Sequence, residues 1–497
     1  MKNQTKSKKE VSSGLFPKLK KKEMLILAVI AVIFSAVCMA GFGLEFSDQN
    51  VYYYMGKLIT EGKAPYVDFF FSHPPGEIYI DALIYGIFGF SLFAFKLSSL
   101  IAILGTAFLI YLTMRKYFNS LSGYIASGIF LFTYETIRIA SGNIGMAFTI
   151  FFAVFGVYLV LENRNLAGGI FLGLSALMTL HAAPIIAAVM LYSLIEIKNS
   201  RLKLKLKSFG KTLGGFVLAF GIPNIIILII AGNQYLSEVI GYHLLKPSAV
   251  VSGVKSGLFW LMAKYNILVF VIPLLIFFSG FRKEKNKKVV YPDLMIIAAY
   301  IVYLIVLPGV FPYYYFGIFP FLAIIAGFSV YRFTEKKNVN NNIKKAVIAI
   351  ISIALLANLW FAASQYYWTM DNTLKANTIS NLNSKIGDNK VIFGDYLFVP
   401  VISLENNNRI ASEIVDTNPL RFQTGSLNAN EIISQLKKEK EVYIIVRQSN
   451  NFLLAYDASK DYLNNDCSII YSEDYSLPNY FEKQLVTDRL FLLKCGK

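Results

Sequence analysis

The residues best suited to chemistry in this sequence lie in an acidic and aromatic stretch, residues 43–76. It contains two aspartates, Asp48 and Asp68, and one histidine, His73, which precedes two prolines. A carboxylate in partly apolar surroundings can act as a general base or as a metal ligand, because such surroundings tune its pKa. The stretch therefore predicts general-base or metal chemistry.

Each of these residues also has a structural interpretation. Asp48 could equally be a helix cap, and Asp68 could be an ordinary turn residue. His73 could be a plain loop residue, and tyrosines such as Tyr52 are typical of an aromatic belt at a membrane interface. Local spacing leaves both interpretations open.

The same stretch predicts a short helix. Ser47 or Asp48 can cap this helix, which extends to about Thr60, and Gly62 can end it. Apolar residues between positions 51 and 59 give it one apolar face. We therefore expect the helix to lie in a membrane interface.

A second set of candidate groups is basic. The chain has only three histidines, His73, His181 and His243, and none has a cysteine or acidic partner at ligand spacing, so zinc binding is not predicted. His243 and Lys246 share one loop, and Arg138 follows an apolar segment. Such cations stabilise a leaving phosphate as it gains negative charge. The pattern favours phosphate binding over metal binding.

The elements that position these residues are expected to lie in a membrane. The chain has 497 residues, of which 55% are hydrophobic and 16% charged, and its mean hydropathy is +0.51. A soluble protein of this composition would expose large apolar patches. The net charge of +17 does not indicate nucleic acid, because the lysines form short runs between apolar segments. Such runs are typical of cytoplasmic loops that face anionic lipid.

Apolar segments of roughly 20 residues predict membrane-spanning helices. The sequence predicts about eleven such spans, near residues 24–43, 93–114, 120–137, 142–161, 166–180, 183–197, 212–232, 258–280, 292–308, 313–331 and 345–363. Segment 77–90 is apolar but contains Glu77 and Asp81, so it is predicted to be an interfacial amphipathic helix.

The basic residues determine the predicted orientation. They cluster at residues 2–22, 115–116, 164, 198–211, 282–288 and 332–345, which alternate with loops poor in lysine and arginine. Placing all the basic clusters inside puts the N-terminus in the cytoplasm. The acidic loop and the C-terminal region then lie outside, at the plasma or inner membrane.

After residue 363 the chain becomes polar. Strand-like runs at 391–393, 442–446, 467–471 and 490–493 alternate with helix-like stretches such as 428–440, for which Asn428 is the predicted N-cap. This pattern predicts a small extracytoplasmic α/β domain. Cys467 and Cys495 lie near two of these strands, so they form a disulfide or remain free thiols.

The predicted fold class is thus a polytopic α-helical membrane protein with a C-terminal extracytoplasmic α/β domain. Its predicted parts are a basic cytoplasmic N-terminus at 1–23, a transmembrane domain at 24–363 with a first external loop at 44–92, and the α/β domain at 364–497.

The spacing in the first external loop resembles the signature of a known enzyme class. The pattern Asp48-x3-Tyr52-x9-Gly62-x2-Pro65-Tyr66-x-Asp68-x4-His73-Pro74-Pro75 is similar to the first-loop motif of the GT-C glycosyltransferases. Within that class it most resembles the dolichyl-phosphate-mannose protein mannosyltransferase-like and lipid A aminoarabinose transferase families. Residues 168–181 and 313–327 resemble two later helix ends of these families.

The resemblance implies a fold, a donor class and a set of site residues. It implies that Asp48 is the catalytic or metal-associated carboxylate and that the donor is a lipid-phosphate sugar. The remaining substrate-binding candidates are Tyr52, Tyr66, Asp68, His73, Arg138, His181, His243 and Lys246. The sequence departs from the families at Gln49, where a second acid is frequent, and at His181, where lysine is common.

The expected function is inverting transfer of a sugar from polyprenyl or dolichyl phosphate to a protein, lipid or glycan acceptor on the outer membrane face. Asp48 would deprotonate the acceptor hydroxyl or organise a divalent cation, Mg²⁺ or Mn²⁺. The expected partners are the lipid-linked donor, the acceptor and membrane lipid, without nucleic acid. One alternative is a transporter or flippase of a lipid-linked or small substrate, although the predicted spans are almost free of charge. Another is a non-catalytic scaffold that binds partners through the α/β domain.

Overall fold

A computed structural model describes residues 16, 18–142, 145–195, 202–246, 255–279, 287–307, 309–369, 372–449, 456–479 and 484–496. Most of the predicted basic N-terminus lies outside these residues, as do parts of the basic loops at 198–211 and 282–288. Helices occupy most of the chain, and one small sheet lies near the C-terminus.

The α-helices of the described residues are numbered in chain order. They are α1 Lys21–Ala40, α2 Asp48–Thr60, α3 Gly76–Phe88, α4 Leu92–Tyr117, α5 Ser120–Leu131, α6 Tyr134–Ser141, α7 Met146–Leu161, α8 Asn165–Met178, α9 Ala183–Ile195, α10 Leu202–Phe216, α11 Ile222–Ala231, α12 Asn233–Leu236, α13 Tyr242–Leu245, α14 Lys255–Tyr265, α15 Ile267–Ser279, α16 Lys287–Val306, α17 Phe319–Thr334, α18 Asn341–Thr369, α19 Asn372–Ile386, α20 Val399–Glu405, α21 Pro419–Gln423, α22 Ala429–Leu436 and α23 Asp457–Asp466. Short 3₁₀ or π-helical turns lie at Leu180–Ala182, Val217–Gly221, Ser237–Gly241, Pro312–Ile318 and Ala411–Glu413.

The described residues contain 6 helices long and apolar enough to cross a membrane, or up to 8 if each of two bent pairs is one span. The bent pairs are α6 with α7, at 110°, and α14 with α15, at 88°. Three more predicted spans coincide with α5, α8 and the segment Leu180–Ile195, which are apolar but shorter than the roughly 20 residues that a span needs. The multi-pass prediction is supported, but the count of eleven is not confirmed.

Helix α2 begins at Asp48 and packs closely on α3. Gly56 permits this approach, because a Cβ atom there would lie 2.9 Å from the backbone nitrogen of Ala82. The helix ends at Thr60, and Gly62 follows with a φ of +85°, which glycine adopts without strain. The predicted extent of the helix is confirmed, although the side chain of Ser47, the residue before it, makes no capping hydrogen bond.

The apolar face of α2 is covered by protein. Val51, Tyr54 and Leu58 are buried in a core cluster that they share with residues of α20. The backbone nitrogen of Ile410 donates a 3.0 Å hydrogen bond to the Tyr54 hydroxyl. The expectation that this face meets the membrane interface is therefore wrong, because the C-terminal part of the chain occupies that position.

Helix α3 is the segment that was predicted to be amphipathic and not to span. It has 13 residues, too few to cross a bilayer. Its polar residues Glu77 and Asp81 are buried against the protein, whereas Leu83 and Ile87 are exposed. Its outward surface is thus the apolar one.

The C-terminal sheet has five strands, β1 Val391–Gly394, β2 Arg409–Ile410, β3 Val442–Arg447, β4 Cys467–Asn479 and β5 Gln484–Cys495, in the order β2-β1-β3-β5-β4. Strand β1 pairs in parallel with β2 and β3, and β5 pairs antiparallel with β3 and β4. The four predicted strand runs are confirmed. The sequence did not predict β2, which has two residues.

One local prediction in this part of the chain is also confirmed, and one open alternative is decided. Asn428 caps α22, since its side chain accepts a 2.9 Å hydrogen bond from the backbone nitrogen of Asn430. Cys467 and Cys495 are paired in the register of β4 and β5, and they form a disulfide. The choice between disulfide and free thiols is thereby decided.

Candidate active site

Two neighbouring cavities bring most of the predicted site residues together. The first cavity, of about 130 Å³, is lined by Ser47, Asp48, Tyr52, His73, Arg138, Met146, Thr179, His181 and Tyr313. The second cavity, of about 190 Å³, is lined by Asp48, Val51, Tyr52, Met55, Phe71, Ser72, His73, Tyr242, Lys246, Phe311, Tyr313, Tyr314, Tyr396, Asp416, Asn418 and Leu420. Asp48, Tyr52, His73 and Tyr313 line both cavities. These four residues form the boundary between the cavities.

The Asp48 side chain is exposed and lines both cavities, and protein packs around these cavities. Burial, followed by the negative charge of Asp416, raises its pKa to about 6, while Lys246 acts in the opposite direction. A carboxylate with this pKa is mostly ionised at neutral pH and is more basic than an ordinary aspartate. Asp48 therefore meets the requirement for a general base.

Tyr66 and Asp68 support the loop that presents His73. Tyr66 is buried with a φ of +65°, an uncommon conformation for tyrosine, and its hydroxyl donates a 2.6 Å hydrogen bond to the His73 carbonyl. Asp68 is exposed, and its Oδ2 accepts a 2.7 Å hydrogen bond from the backbone nitrogen of Ala64. Neither residue lines either cavity.

The histidines His73 and His243 lie side by side, with ring centroids 5.4 Å apart. The Nε2 of His243 is 2.7 Å from the Ser72 carbonyl oxygen. A carbonyl only accepts, so this nitrogen carries the proton. Burial and nearby Lys246 lower the pKa of His243 to about 4, and burial with His243 lowers the pKa of His73 well below its usual value. Both rings are therefore neutral at physiological pH.

His181 and Arg138 lie on the wall of the first cavity. The Nδ1 of His181 is 2.7 Å from the Tyr303 hydroxyl, and its ring centroid is 4.0 Å from that of Tyr314. The Nε of Arg138 lies 3.2 Å from both carboxylate oxygens of Glu135. The charge of Arg138 is thus balanced by a buried partner.

Lys246 is the cation of the second cavity. Its Nζ lies 4.5 Å from the centroid of the Tyr242 ring. Burial lowers its pKa to about 8, against the raising effects of Asp416 and Asp48. Within the part of the chain that the structure describes, no carboxylate makes an ion pair with Lys246. Its positive charge is therefore available to a ligand at neutral pH.

The C-terminal part of the chain contributes residues that the sequence did not predict to be part of the site. Tyr396, Asp416 and Asn418 line the second cavity together with residues of the first external loop. Arg421 holds this contact, since its guanidinium lies 3.8 Å from the centroid of the Phe70 ring. Their position after β1 and β2 could have indicated a role in binding, because ligands in open α/β sheets bind beyond the carboxyl ends of parallel strands.

A metal ion would find few protein ligands here. Among the described residues, no three His, Cys, Asp or Glu side chains are grouped so that they could hold one. Mg²⁺ is commonly bound by one or two carboxylates together with substrate phosphates. Asp48 would be such a ligand, and divalent cation dependence stays a prediction.

The chain matches the family model described as dolichyl-phosphate-mannose-protein mannosyltransferase over residues 72–227. This match includes His73, Arg138 and His181 but neither Asp48 nor Lys246. No curated protein sequence matches the chain significantly.

The fold is similar to that of ArnT from Cupriavidus metallidurans. The structure bound to undecaprenyl phosphate aligns with a TM-score of 0.63 at 12% identity, over 95% of this chain and 98% of that one. The apo structure of ArnT gives a TM-score of 0.64 at 11% identity, with the same coverage. The archaeal oligosaccharyltransferase AglB from Archaeoglobus fulgidus, in complex with an inhibitory peptide and a dolichol-phosphate, gives 0.53 at 14% identity, over 85% of this chain and 69% of that one.

These similarities agree with the family resemblance that the sequence motifs indicated. The family match covers part of the transmembrane region, and the ArnT alignment extends through the C-terminal α/β region as well. The predicted resemblance to the GT-C glycosyltransferases, in particular to the protein mannosyltransferase and ArnT families, is therefore confirmed.

Proposed function

We propose that this protein is an inverting glycosyltransferase that moves a sugar from a polyprenyl or dolichyl phosphate to an acceptor hydroxyl. The observation that carries the proposal is the position of Asp48, a carboxylate of raised pKa on the boundary of two cavities, one of which holds Lys246. A carboxylate on this boundary can contact one substrate in each cavity. The undecaprenyl phosphate in ArnT and the dolichol-phosphate in AglB support a lipid phosphate as the donor.

The donor phosphate binds at Lys246 in the second cavity. As the bond between the anomeric carbon and the phosphate oxygen breaks, the leaving phosphate gains negative charge, which a nearby ammonium stabilises. His73 lines this cavity and is neutral, so it assists as an N–H donor rather than as a charge, whereas the single ring proton of His243 is donated to the Ser72 carbonyl. Arg138, balanced by Glu135, makes a smaller electrostatic contribution.

Asp48 removes the proton from the acceptor hydroxyl. The acceptor oxygen forms a new bond to the anomeric carbon on the face opposite the phosphate, the glycosidic bond to phosphate breaks, and the proton passes to Asp48. The configuration at the anomeric carbon is inverted. A divalent cation, Mg²⁺ or Mn²⁺, would supply further charge stabilisation at the phosphate.

We place the site on the outer face of the plasma or inner membrane, with the N-terminus in the cytoplasm. The disulfide between Cys467 and Cys495 supports an oxidising compartment for the C-terminal region. The alternation of basic and non-basic loops supports the same orientation.

The test replaces Asp48 by asparagine, which keeps the shape of the side chain and removes the base. The purified protein in proteoliposomes is given radiolabelled undecaprenyl-phosphate sugars, and membranes from a deletion strain supply the acceptor. A positioned general base contributes about 10²- to 10⁴-fold, so Asp48→Asn should lower covalent transfer by that factor.

The matched control is Asp388→Asn, at an exposed aspartate of the C-terminal region away from both cavities. It should transfer at the wild-type rate. Transfer by Asp48→Asn within a few-fold of wild type would exclude the base. Substrate-dependent flux across the vesicle without any covalent product would instead favour a transporter.

A further inference from the structure

The C-terminal sheet directs its ligand-binding edge towards the second cavity. Three of its strands lie in the order β2-β1-β3. The chain runs from β1 to β2 on one side of β1 and then crosses to β3 on the other side, so the two connections diverge at β1. Open α/β sheets bind ligands at such a switch point, beyond the carboxyl ends of the strands. Tyr396 follows β1, and Asp416 and Asn418 follow β2, and all three line the second cavity.

The turn that carries Asp416 is held firmly. The backbone nitrogen of Asn418 donates to Asp416 Oδ1 at 2.9 Å, and the Thr417 hydroxyl donates to the Gly394 carbonyl at 2.7 Å. Arg421 donates through its NH1 nitrogen to the Asp416 carbonyl at 2.6 Å. The turn is therefore fixed before any ligand arrives, which lowers the entropic cost of binding.

The charges of the second cavity are held apart. Asp48, Lys246 and Asp416 all line it and interact electrostatically, yet within the described residues no ion pair joins Lys246 to either aspartate. A ligand that fills the space between them must offer a negative group to Lys246 and hydrogen-bond donors to the carboxylates. A phosphate that carries a hydroxyl-rich group has both.

Geometry limits where the sugar can lie. In the proposed donor the anomeric carbon is joined to the phosphate through a single oxygen, so a phosphate at Lys246 places the sugar ring in the same cavity. Tyr396, Asp416 and Asn418 line that cavity and take no part in holding the phosphate or in removing the proton, so they are available to the sugar ring. An anionic sugar would be repelled there by Asp416 and Asp48.

We propose that the C-terminal domain binds the transferred sugar itself, and that this sugar is neutral. Asp416 accepts hydrogen bonds from ring hydroxyls, the Asn418 amide donates to another hydroxyl, and Tyr396 packs on the ring. The inference rests on the proposed function, because it takes the position of the phosphate from it. It assigns to this domain the recognition of the sugar.

The experiment compares two lipids, one with a sugar and one without. Isothermal titration calorimetry in detergent measures binding of undecaprenyl phosphate and of undecaprenyl-phosphate mannose, glucose, galactose and glucuronate to the full-length protein. The variant Asp416→Asn keeps the turn, since asparagine forms the same backbone hydrogen bond. Asp388→Asn is the surface control.

The wild-type protein should bind one of the neutral sugar lipids more tightly than undecaprenyl phosphate, and should bind the glucuronate lipid no more tightly. Charge-assisted hydrogen bonds are about twice as strong as neutral ones, so Asp416→Asn should weaken binding of that sugar lipid about tenfold. Binding of undecaprenyl phosphate should stay unchanged or become tighter, because a negative charge is removed. Damage to the fold would weaken the binding of both lipids together.

Two results would overturn the inference while leaving the proposed function in place. One is an Asp416→Asn variant that binds the preferred sugar lipid as tightly as the wild-type protein does. The other is wild-type protein that binds undecaprenyl phosphate but gains no affinity from any neutral sugar. Absence of binding to every phosphate lipid would refute both proposals.

Discussion

The rate of sugar transfer should follow a bell-shaped pH profile whose two limbs belong to Asp48 and Lys246. The pKa of Asp48 is raised to about 6, and only its ionised form can accept a proton from the acceptor. The pKa of Lys246 is lowered to about 8, and only its protonated form attracts the phosphate. The value of kcat/KM should therefore rise through pH 6, be maximal near pH 7, and fall through pH 8.

The size of the acidic limb follows from the pKa of about 6. About nine tenths of the Asp48 carboxyl groups are ionised at pH 7 and about one tenth at pH 5, so kcat/KM should fall about tenfold over that range. The histidines do not produce this limb, because the pKa of His243 is lowered to about 4 and that of His73 is also well below its usual value. Burial raises the pKa of nearby Glu77 well above its usual value.

Two substitutions should move the acidic limb in opposite directions. The charge of Asp416 raises the pKa of Asp48, so Asp416→Asn should shift the limb to lower pH. The charge of Lys246 lowers the pKa of Asp48, so Lys246→Gln should shift the limb to higher pH and remove the alkaline limb. The opposite signs distinguish electrostatics from general damage, which would lower the rate at every pH.

The measurement is the initial rate of transfer from radiolabelled undecaprenyl-phosphate sugar in proteoliposomes, at subsaturating donor, between pH 4.5 and pH 9.5 in steps of about half a unit. Asp388→Asn should reproduce the wild-type profile. An acidic limb near the pKa of ordinary aspartate, or one that both substitutions leave in place, would refute the assignment of Asp48 as an enclosed base coupled to Asp416.

Other parts of the structure give three further predictions. Gly56→Val should destabilise the protein by roughly 1–3 kcal/mol, because the added atoms meet the backbone of α3, whereas Gly86→Ala meets only a distant methyl group and should be neutral or stabilising in thermal unfolding. Replacing Cys467 and Cys495 by alanine opens a loop of 28 residues and should cost about 3–4 kcal/mol. The loss should appear as a lower Tm that reductant no longer changes, and an unchanged Tm would contradict the pairing. Tyr66→Phe removes the hydrogen bond to the His73 carbonyl and should cost about 1 kcal/mol, seen as a raised KM for the donor with kcat little changed. An effect on kcat alone would contradict this supporting role.

The sequence by itself determined the features that depend on local composition and spacing. Hydropathy indicated a multi-pass membrane protein, since about 20 apolar residues are needed to cross a bilayer whatever their neighbours are. Alternating patterns located four strands, and Gly62 marked the end of α2. The first-loop motif predicted Asp48 and His73 as site residues, and both line the two cavities.

Only the tertiary structure decided which of the candidate residues meet. Asp48 and Asp416 are far apart in the sequence, and no spacing rule connects them. Tyr66 and Asp68 belong to the same motif as His73, yet their side chains hydrogen-bond within the loop and line neither cavity. The C-terminal domain covers α2 and closes the second cavity, so it also determines how deeply Asp48 is enclosed. A pKa depends on all groups that surround a residue in space, and for that reason the proposed base acquired its basicity only in the folded chain.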